Sequence, residues 1–359
     1  MHNDERKRLY EKTEIKMDQL PWYAKEYIIR NLRKRSPNTL LGYCSDYISF
    51  LDWLSSEGFY NGTRLDCPLS TLESLRVDDV ERYKDFLSIK HENSLDTIAR
   101  KIASLKSLFQ YLSVLSEDEN GYPYIKRNVM VKIETEKEKI TVMAKADRIK
   151  DKILRDEEIF EFREFIAEGF QIVCKDNKRI LNSHLKNKDR DLAFVSLILG
   201  SGLRVSEALS LDLPDIDWLK GKILVNRKGN KKDSVPVSNI ALDDLKSYLA
   251  FRQTNYGVDD KQEAIFLSLP TGPHGKVSRL TVRASQKMLD RYVSSFGKPA
   301  LTIHKLRHTF ATKYHKENKD LASLKDQLGH SDLNTTMIYT HVGEEERRES
   351  VNRADSLNR

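Results

Sequence analysis

Apolar residues recur every three or four positions through most of the first third of the chain, the spacing of amphipathic helices. The clearest example runs from Ser94, where Ile98, Ile102 and Leu105 share one face. The cations Arg100, Lys101 and Lys106 fall on other faces of that helix. Ser36-Pro37-Asn38 is a helix start signal. The pattern predicts helices over 27–32, 39–54, 77–89 and 94–115.

The remainder of the chain mixes helical spacing with two short alternating runs at 222–226 and 234–237. Gly229-Asn230 between these runs is typical of a tight turn, so the two runs predict a β-hairpin. Gly200-Ser201-Gly202 ends a buried helix. This part opens with a predicted helix from Arg155-Asp156-Glu157-Glu158, and further predicted helices lie over 189–199, 205–211, 243–251, 278–296, 304–315, 321–328 and 334–341. The fold class is therefore mostly α with a small β-sheet.

A highly charged stretch with few large apolar residues separates these two parts. Such a stretch would form a poor core, and we interpret it as a linker. The predicted organisation is a helical domain over 1–135, a charged linker over 136–152 and a mixed α/β domain over 153–359. Each domain is long enough to bury its own core.

Charge shifts this picture only slightly. Lys and Arg number 61 against 54 Asp and Glu, which gives a net charge of +7 and a pI near 9.0. A mild basic excess is compatible with a polyanionic partner such as nucleic acid, but many basic proteins bind none.

Several classes of protein are disfavoured by composition. Cys44, Cys67 and Cys174 form no CxxC pair, which argues against a disulfide framework and a cysteine-based metal site. The charged start of the chain has no apolar core, so we expect no signal peptide. The longest apolar run, 192–199, is too short to span a bilayer. A reducing cytoplasmic location fits, with no membrane association.

The candidate chemistry lies in a small set of polar residues after position 200. Each alone has an ordinary structural explanation, such as an ion pair, a helix cap or packing. Their order and spacing make the set unusual: an arginine, a hairpin lysine, a His-x-x-Arg pair, a Leu-Gly-His motif and a tyrosine nine residues later. These residues are Arg204, Lys228, His304, Arg307, His330 and Tyr339.

These motifs resemble those of the tyrosine recombinase (phage integrase) family, and the similarity extends over both parts of the chain. Within the family the chain is most similar to the Xer type. The segments Leu20-Pro21-Trp22-Tyr23, Lys126-Arg127-Asn128 and Asn187–Leu192 support that closer match. The resemblance implies an N-terminal helical core-binding (SAM-like) domain over 1–135 and a C-terminal α/β catalytic domain over 153–359.

The resemblance also implies a role for each residue. Arg204 and Arg307 would clamp the scissile phosphate, a task that suits the guanidinium fork. His330 would hydrogen-bond the same phosphate, and Tyr339 would attack it to give a 3′-phosphotyrosyl intermediate. His304 would help accept the tyrosine proton. The link conserves the phosphodiester energy, so neither metal nor nucleotide cofactor is expected.

Lys228 matches the hairpin lysine of the family and would protonate the leaving 5′-oxygen, although Arg227, Lys231 and Lys232 are near rivals for this match. Glu207 is interpreted as a supporting residue. His308 is interpreted as structural, and the resemblance assigns no catalytic role to His341.

For partners, the resemblance implies double-stranded DNA with a dif-like site, a homotetramer on two DNA sites, and an FtsK-type DNA translocase. A clamp around DNA makes Arg100, Lys101 and Lys106 candidate DNA contacts. The charged tail over 344–359 would dock on a neighbouring protomer, although simple fraying is the plainer explanation of such a tail.

Three alternatives remain at this point. An integrase of a mobile element would use the same chemistry, but only about 20 residues precede the Leu20-Pro21-Trp22 segment, too few for an arm-binding domain. A type IB topoisomerase shares the same catalytic logic without synapsis. A non-catalytic DNA-binding module would have no need of Tyr339.

Overall fold

The computed structural model describes residues 3–136, 138, 140–227, 231–259, 261–270, 275–341 and 352. Lys228 lies outside the described residues, and so does the predicted docking tail over 344–359 apart from Asn352. The chain divides into two units, His2–Lys139 and Ile140–Arg359. The predicted fold class is confirmed, since helices dominate and the strands are few and short.

The N-terminal unit is helical throughout its described part. Ser36 caps the third helix with its hydroxyl, which accepts a hydrogen bond from the Thr39 amide, as the start signal predicts. The predicted helix 77–89 has these bounds in the structure. The helices are α1 Asn3–Met17, α2 Trp22–Asn31, α3 Pro37–Ser56, α4 Leu69–Ser74, α5 Val77–Ile89 and α6 Leu95–Gln110.

The apolar faces of these helices form one core, rich in aromatic side chains such as Tyr27, Tyr47, Phe50 and Trp53. Helix α1 was not predicted because its sequence is charged and has no apolar stripe. It is held on α3 in part by Lys16, whose ammonium donates to the Ser45 hydroxyl at 2.7 Å.

The C-terminal unit surrounds a long central helix with shorter helices and two small sheets. Its helices are α7 Val142–Lys150, α8 Asp156–Glu164, α9 Phe170–Val173, α10 Lys178–Ser201, α11 Val205–Leu209, α12 Asn239–Tyr256, α13 Val282–Ser295, α14 Ile303–Asn318 and α15 Leu321–Leu328. Its strands are β1 Ile216–Asp217, β2 Lys222–Asn226, β3 Lys232–Pro236, β4 Leu267–Ser268 and β5 Ser278–Arg279.

The predicted hairpin is present as β2 and β3, which pair antiparallel with Ile223 opposite Val235. Ile223 and Val225 are buried while Leu224 is exposed, as the alternating pattern requires. β1 completes this three-stranded sheet, and β4 pairs with β5 in a second sheet. The buried side chains of β2 therefore fix the base of the hairpin against the core.

Several sequence expectations differ from the structure. The helix predicted over 278–296 begins only at Val282, because Ser278–Arg279 form strand β5. The stretch interpreted as a charged linker contains α7, whose Ala146 and Ile149 are buried beside Ile338. The helix predicted over 334–341 consists instead of two 3₁₀ turns, Leu333–Thr335 and Met337–His341. Short 3₁₀ turns suit a segment that is held by side-chain contacts instead of a long hydrogen-bonded ladder.

No helix in the described part of the chain is long and apolar enough to cross a bilayer. The three cysteines are buried and free.

Candidate active site

Helix α14 carries three site residues on one face. Thr302 caps the helix by accepting a hydrogen bond from the Lys305 amide at 3.3 Å. His304, Arg307 and His308 follow within the first two turns of the helix, so their side chains are neighbours. Leu306 lies on the opposite, buried face. The helix thus presents a guanidinium between two imidazoles.

Arg307 is almost fully buried, with 3% of its side chain exposed. Its Nη1 donates to the carbonyl of Gly202 at 2.7 Å and its Nη2 donates to the carbonyl of Leu328 at 2.8 Å. The nearest carboxylate oxygen, on Glu207, is 3.9 Å away. Burial, and then the charge of Arg204, lower the pKa of Arg307 to about 10. Arg307 is therefore a buried cation held by neutral carbonyls.

Gly202 makes this arrangement possible. It ends α10 in the left-handed region at φ +70°, and a Cβ there would clash with Phe310 and Leu328. Its carbonyl is therefore free to face Arg307, while the chain turns directly into Arg204.

His330 follows α15, which ends at Gly329 with φ +61°. Its Nε2 lies 3.0 Å from Nη2 of Arg307, and its Nδ1 lies 3.0 Å from the Thr336 hydroxyl. Because guanidinium can only donate, Nε2 accepts and Nδ1 carries the proton. Burial and the charges of Arg307 and Arg204 lower the pKa of His330 to about 4, which keeps the imidazole neutral.

Arg204 lies at the solvent-exposed side of the residues around Arg307, with 39% of its side chain exposed. It is the N-cap residue of α11, and its Nη1 donates to Oε1 of Glu207 at 2.8 Å. Its Nη2 donates to the carbonyl of Gly329 at 3.2 Å. Glu207 also accepts the backbone amide of Arg204 at 2.8 Å, so one carboxylate fixes both the backbone and the guanidinium.

Arg227 joins the base of the β2–β3 hairpin to the same carboxylate. Only 8% of its side chain is exposed, and its Nη1 donates to Oε2 of Glu207 at 3.2 Å. It also donates to the carbonyls of Gln327 and Leu328 at 2.8 and 3.1 Å, and to Asp233 at 3.1 Å. A Cβ at position 329 would lie 2.7 Å from this guanidinium, which is a second reason for glycine there. The sequence presents Arg227 only as a rival to Lys228, and its four contacts are visible only in the structure.

Tyr339 lies on the 3₁₀ turn Met337–His341 and packs against Ala311, Leu324 and Leu328. It is 4% exposed. Burial raises the pKa of Tyr339 to about 12, although the charges of Arg307 and Arg204 act to lower it. The phenol is therefore protonated at rest and stands within electrostatic reach of both arginines.

The Tyr339 hydroxyl contacts His308, and Nδ1 of that ring lies 2.8 Å away. From the sequence alone, a structural role is expected for His308, and the family resemblance gives the tyrosine proton to His304. His304 is exposed, and among the described residues it makes no hydrogen bond to Tyr339; its ring meets the edge of His308 with centroids 4.4 Å apart. Desolvation on the side of the ring that faces the protein, and then the charge of Arg307, lower the pKa of His304. The helical spacing of His304, Arg307 and His308 was the signal that could have marked His308.

The three candidate DNA-contacting cations lie on α6. Arg100 makes a bidentate pair with the buried Asp46, at 2.7 and 2.8 Å. Lys101 is 3.9 Å from the same carboxylate. Lys106 donates to the carbonyl of Ile133 at 2.5 Å. Of the three, Arg100 is the most exposed.

Within the described residues, no three His, Cys, Asp or Glu side chains gather in the way that a metal site needs.

Comparison with known proteins identifies the family. Residues 173–346 match the phage integrase family, and residues 25–114 match its N-terminal SAM-like domain. The chain therefore belongs to the phage integrase family of tyrosine recombinases, which are DNA strand-exchange enzymes.

The relatives define the type more narrowly. The chain is 37% identical over 359 residues to the tyrosine recombinase XerS of Streptococcus mutans, covering 97% of this chain and 99% of the relative. It is 36% identical over 345 residues to XerS of Streptococcus gordonii, covering 93% and 95%. The chain is thus a recombinase of the XerS type.

Solved structures share the fold at lower identity. The XerH site-specific recombinase bound to its difH substrate matches with a TM-score of 0.61 and 22% identity, over 90% of this chain and 81% of that one. The Tn1549 transposon integrase bound to circular intermediate DNA matches with a TM-score of 0.59 and 19% identity, over 92% and 97%.

Proposed function

We propose that this recombinase cleaves DNA through Tyr339, that Arg204, Arg307 and His330 hold the scissile phosphate, and that the reaction resolves chromosome dimers at a dif-like site. The observation that carries the catalytic part is the geometry around Arg307. A buried guanidinium without a hydrogen-bonded carboxylate lies 3.0 Å from a neutral imidazole, in a site whose charges reach a buried tyrosine.

The phosphate clamp follows from the charge of this site. Arg204 is exposed enough to meet a DNA phosphate, and its guanidinium is already oriented by Glu207 and Gly329. Arg307 is buried, and its charge is only partly compensated, because Glu207 is 3.9 Å away and hydrogen-bonds Arg204 and Arg227 instead. Positive groups that are fixed before reaction act most strongly when negative charge grows in the pentacoordinate transition state. His330 would donate to the phosphate from Nε2 in its other neutral tautomer, with Nδ1 accepting the Thr336 hydroxyl, once Arg307 turns from Nε2 to the phosphate.

The covalent step is a transfer of the phosphoryl group from DNA to the enzyme. The phenolic oxygen of Tyr339 forms a bond to phosphorus, the bond from phosphorus to the 5′-oxygen breaks, and the phenolic proton leaves to a base, for which His304 is the proposed acceptor. Lys228 is proposed to give a proton to the 5′-oxygen. Four contacts occupy its neighbour Arg227, which supports Lys228 over Arg227 in that role.

Tyr339→Phe tests this assignment directly. The probe is a nicked suicide duplex that carries a dif-like inverted repeat, to be sought beside the gene. We expect DNA affinity like that of the wild type and no covalent protein–DNA adduct, because the nucleophilic oxygen is gone. A covalent adduct from the phenylalanine variant would show that another residue attacks.

The biological role is proposed from the relatives. Similarity to XerS at 37% identity outweighs the fold likeness to the Tn1549 integrase at 19%, and therefore favours chromosome dimer resolution over transposition. On this proposal the enzyme acts in the cytoplasm as a homotetramer on two DNA sites, the tail over 344–359 docks between protomers, and an FtsK-type translocase is the activating partner.

A plasmid with two copies of the inverted repeat tests this role. Excision of the segment between directly repeated copies supports dimer resolution. Relaxation without exchanged products would support the topoisomerase alternative. Exchange only at the ends of a flanking element would support the mobile-element integrase.

A further inference from the structure

We infer that His308 is the positioning residue of the nucleophile: its Nδ1 accepts the Tyr339 hydroxyl and holds the phenol beside the phosphate site before DNA is cut. This inference rests on the proposed role of Tyr339. It assigns a function to the histidine that follows Arg307, which the mechanism above does not use.

The backbone of Met337–His341, the turn that carries Tyr339, is fixed through Thr336. Thr336 is buried, and its hydroxyl is hydrogen-bonded to His330 at 3.0 Å. Its carbonyl accepts the Tyr339 amide at 3.1 Å. The turn is thereby attached to the residue that lies against Arg307. With the backbone fixed, only the side chain of Tyr339 remains free to rotate, and its 2.8 Å hydrogen bond to His308 restricts that rotation.

In the hydrogen bond between Tyr339 and His308, the phenol is the donor. Among the described residues, His308 is the one hydrogen-bond partner of the Tyr339 hydroxyl. A buried hydroxyl proton needs an acceptor. If Nδ1 donated instead, the phenolic proton would have none. The arrangement that satisfies the phenol has Nδ1 as acceptor and the ring proton on Nε2.

His308 positions the phenol of Tyr339 but does not take its proton. The groups facing His308 are His304, Lys305 and Arg307 on its own helix, His330 after α15, and Tyr339 on the turn. Burial, together with His304 and these cations, lowers the pKa of His308 to about 3. A proton taken from Tyr339 would create an imidazolium among like charges. His308 therefore stays neutral as an acceptor, and the proton goes elsewhere when the phenol attacks.

The test compares His308→Ala with His308→Asn in the full chain. The Oδ1 atom of asparagine can stand near the position of Nδ1 and accept the same hydrogen bond without titrating. His91→Asn, at an exposed histidine of the N-terminal unit, is the matched control. The readouts are DNA affinity and single-turnover formation of the covalent adduct on the nicked suicide duplex, measured across pH.

We expect His308→Ala to slow cleavage about 10- to 100-fold at unchanged DNA affinity, because a misdirected nucleophile seldom meets the phosphate. His308→Asn should recover most of the rate, with a pH profile parallel to that of the wild type. Wild-type cleavage by the alanine variant overturns the inference. So does an asparagine variant as slow as alanine with a changed pH profile, which would make His308 the proton acceptor.

A measurement without DNA keeps this inference separate from the proposed function. Nitrogen-15 NMR of the full chain reports which imidazole nitrogen carries the proton. We expect an unprotonated, hydrogen-bonded Nδ1 at His308, shifted by Tyr339→Phe. A protonated Nδ1, or no change in that variant, overturns the inference. A wild-type protein that forms no adduct refutes the proposed function alone, and the NMR result still decides the role of His308.

Discussion

Two arginines of the described structure, Arg100 in the N-terminal unit and Arg307 in the C-terminal unit, are held in opposite ways. Arg100 forms a bidentate pair with Asp46 at 2.7 and 2.8 Å, and 54% of its side chain is exposed. The hydrogen bond to Asp46 raises the pKa of Arg100. Arg307 is buried, is held by the carbonyls of Gly202 and Leu328, and has its pKa lowered to about 10 by burial and by Arg204.

One residue type therefore serves two purposes in this chain. A guanidinium matched to a carboxylate has its charge compensated and acts as a structural tie. A guanidinium desolvated among neutral carbonyls, with its nearest carboxylate at 3.9 Å, keeps a partly uncompensated charge that an incoming anion would compensate. Net charge cannot reveal this distinction, since both arginines count equally in the total of +7.

The greatest loss of activity is expected when lysine replaces one of these two arginines. Arg307→Lys should slow single-turnover cleavage about 100- to 1000-fold, because one ammonium cannot replace the guanidinium fork or its share of transition-state stabilisation. Arg100→Lys, the matched control, should change the rate less than about threefold. The comparison breaks if both variants cleave alike on the nicked duplex.

The next effect is on stability. Glu207→Gln leaves Arg204 and the buried Arg227 facing a neutral amide, and we expect a loss of about 2 kcal/mol in unfolding free energy of the C-terminal unit. Asp46→Asn should cost the N-terminal unit about 1 kcal/mol, since the exposed Arg100 can turn to water. Hydrogen exchange resolved by peptide measures each unit separately. An equal loss in both variants would contradict the distinction between the two carboxylates.

Much of this architecture was predictable because it is local. Helix α5, strand β2 and the Ser36 cap follow from periodicity and capping chemistry within a few residues. The spacing of the site residues was also visible along the chain. The contact between His308 and Tyr339 was not, because it depends on how the tyrosine turn packs on α14 and α15.

The four contacts of Arg227 were hidden for the same reason. They join the end of β2 to Glu207, to Asp233 and to the carbonyls of Gln327 and Leu328. Of these partners, only Asp233 is close to Arg227 in the sequence. Helix α1 was missed because it lacks an apolar stripe. Tertiary packing, which stabilises most helices in proteins, leaves little trace in such a segment.

A smaller effect concerns pH. Burial and the neighbouring arginines lower the pKa of His330 to about 4 in the folded chain, below its ordinary value of about 6.5. Between these pH values the unfolded chain binds the extra proton, so the unfolding free energy of the C-terminal unit should fall as pH drops from 6.5 toward 4. His330→Gln removes this contribution, so denaturant melts at several pH values should show a shallower decline. An unchanged decline would mean that the arginines leave His330 unperturbed.

The smallest effect tests the other side of the comparison, the proposal that cations of α6 meet DNA. Arg100 is half exposed even while it pairs with Asp46, whereas the Lys106 ammonium is tied to the Ile133 carbonyl. Each phosphate contact contributes about 0.9 to the slope of log affinity against log salt on duplex DNA. Arg100→Ala should therefore reduce the slope by up to about 0.9, and Lys106→Ala should reduce it less. If the two substitutions lower the slope equally, Lys106 leaves its carbonyl to bind phosphate; if neither does, the charges of α6 serve the fold alone.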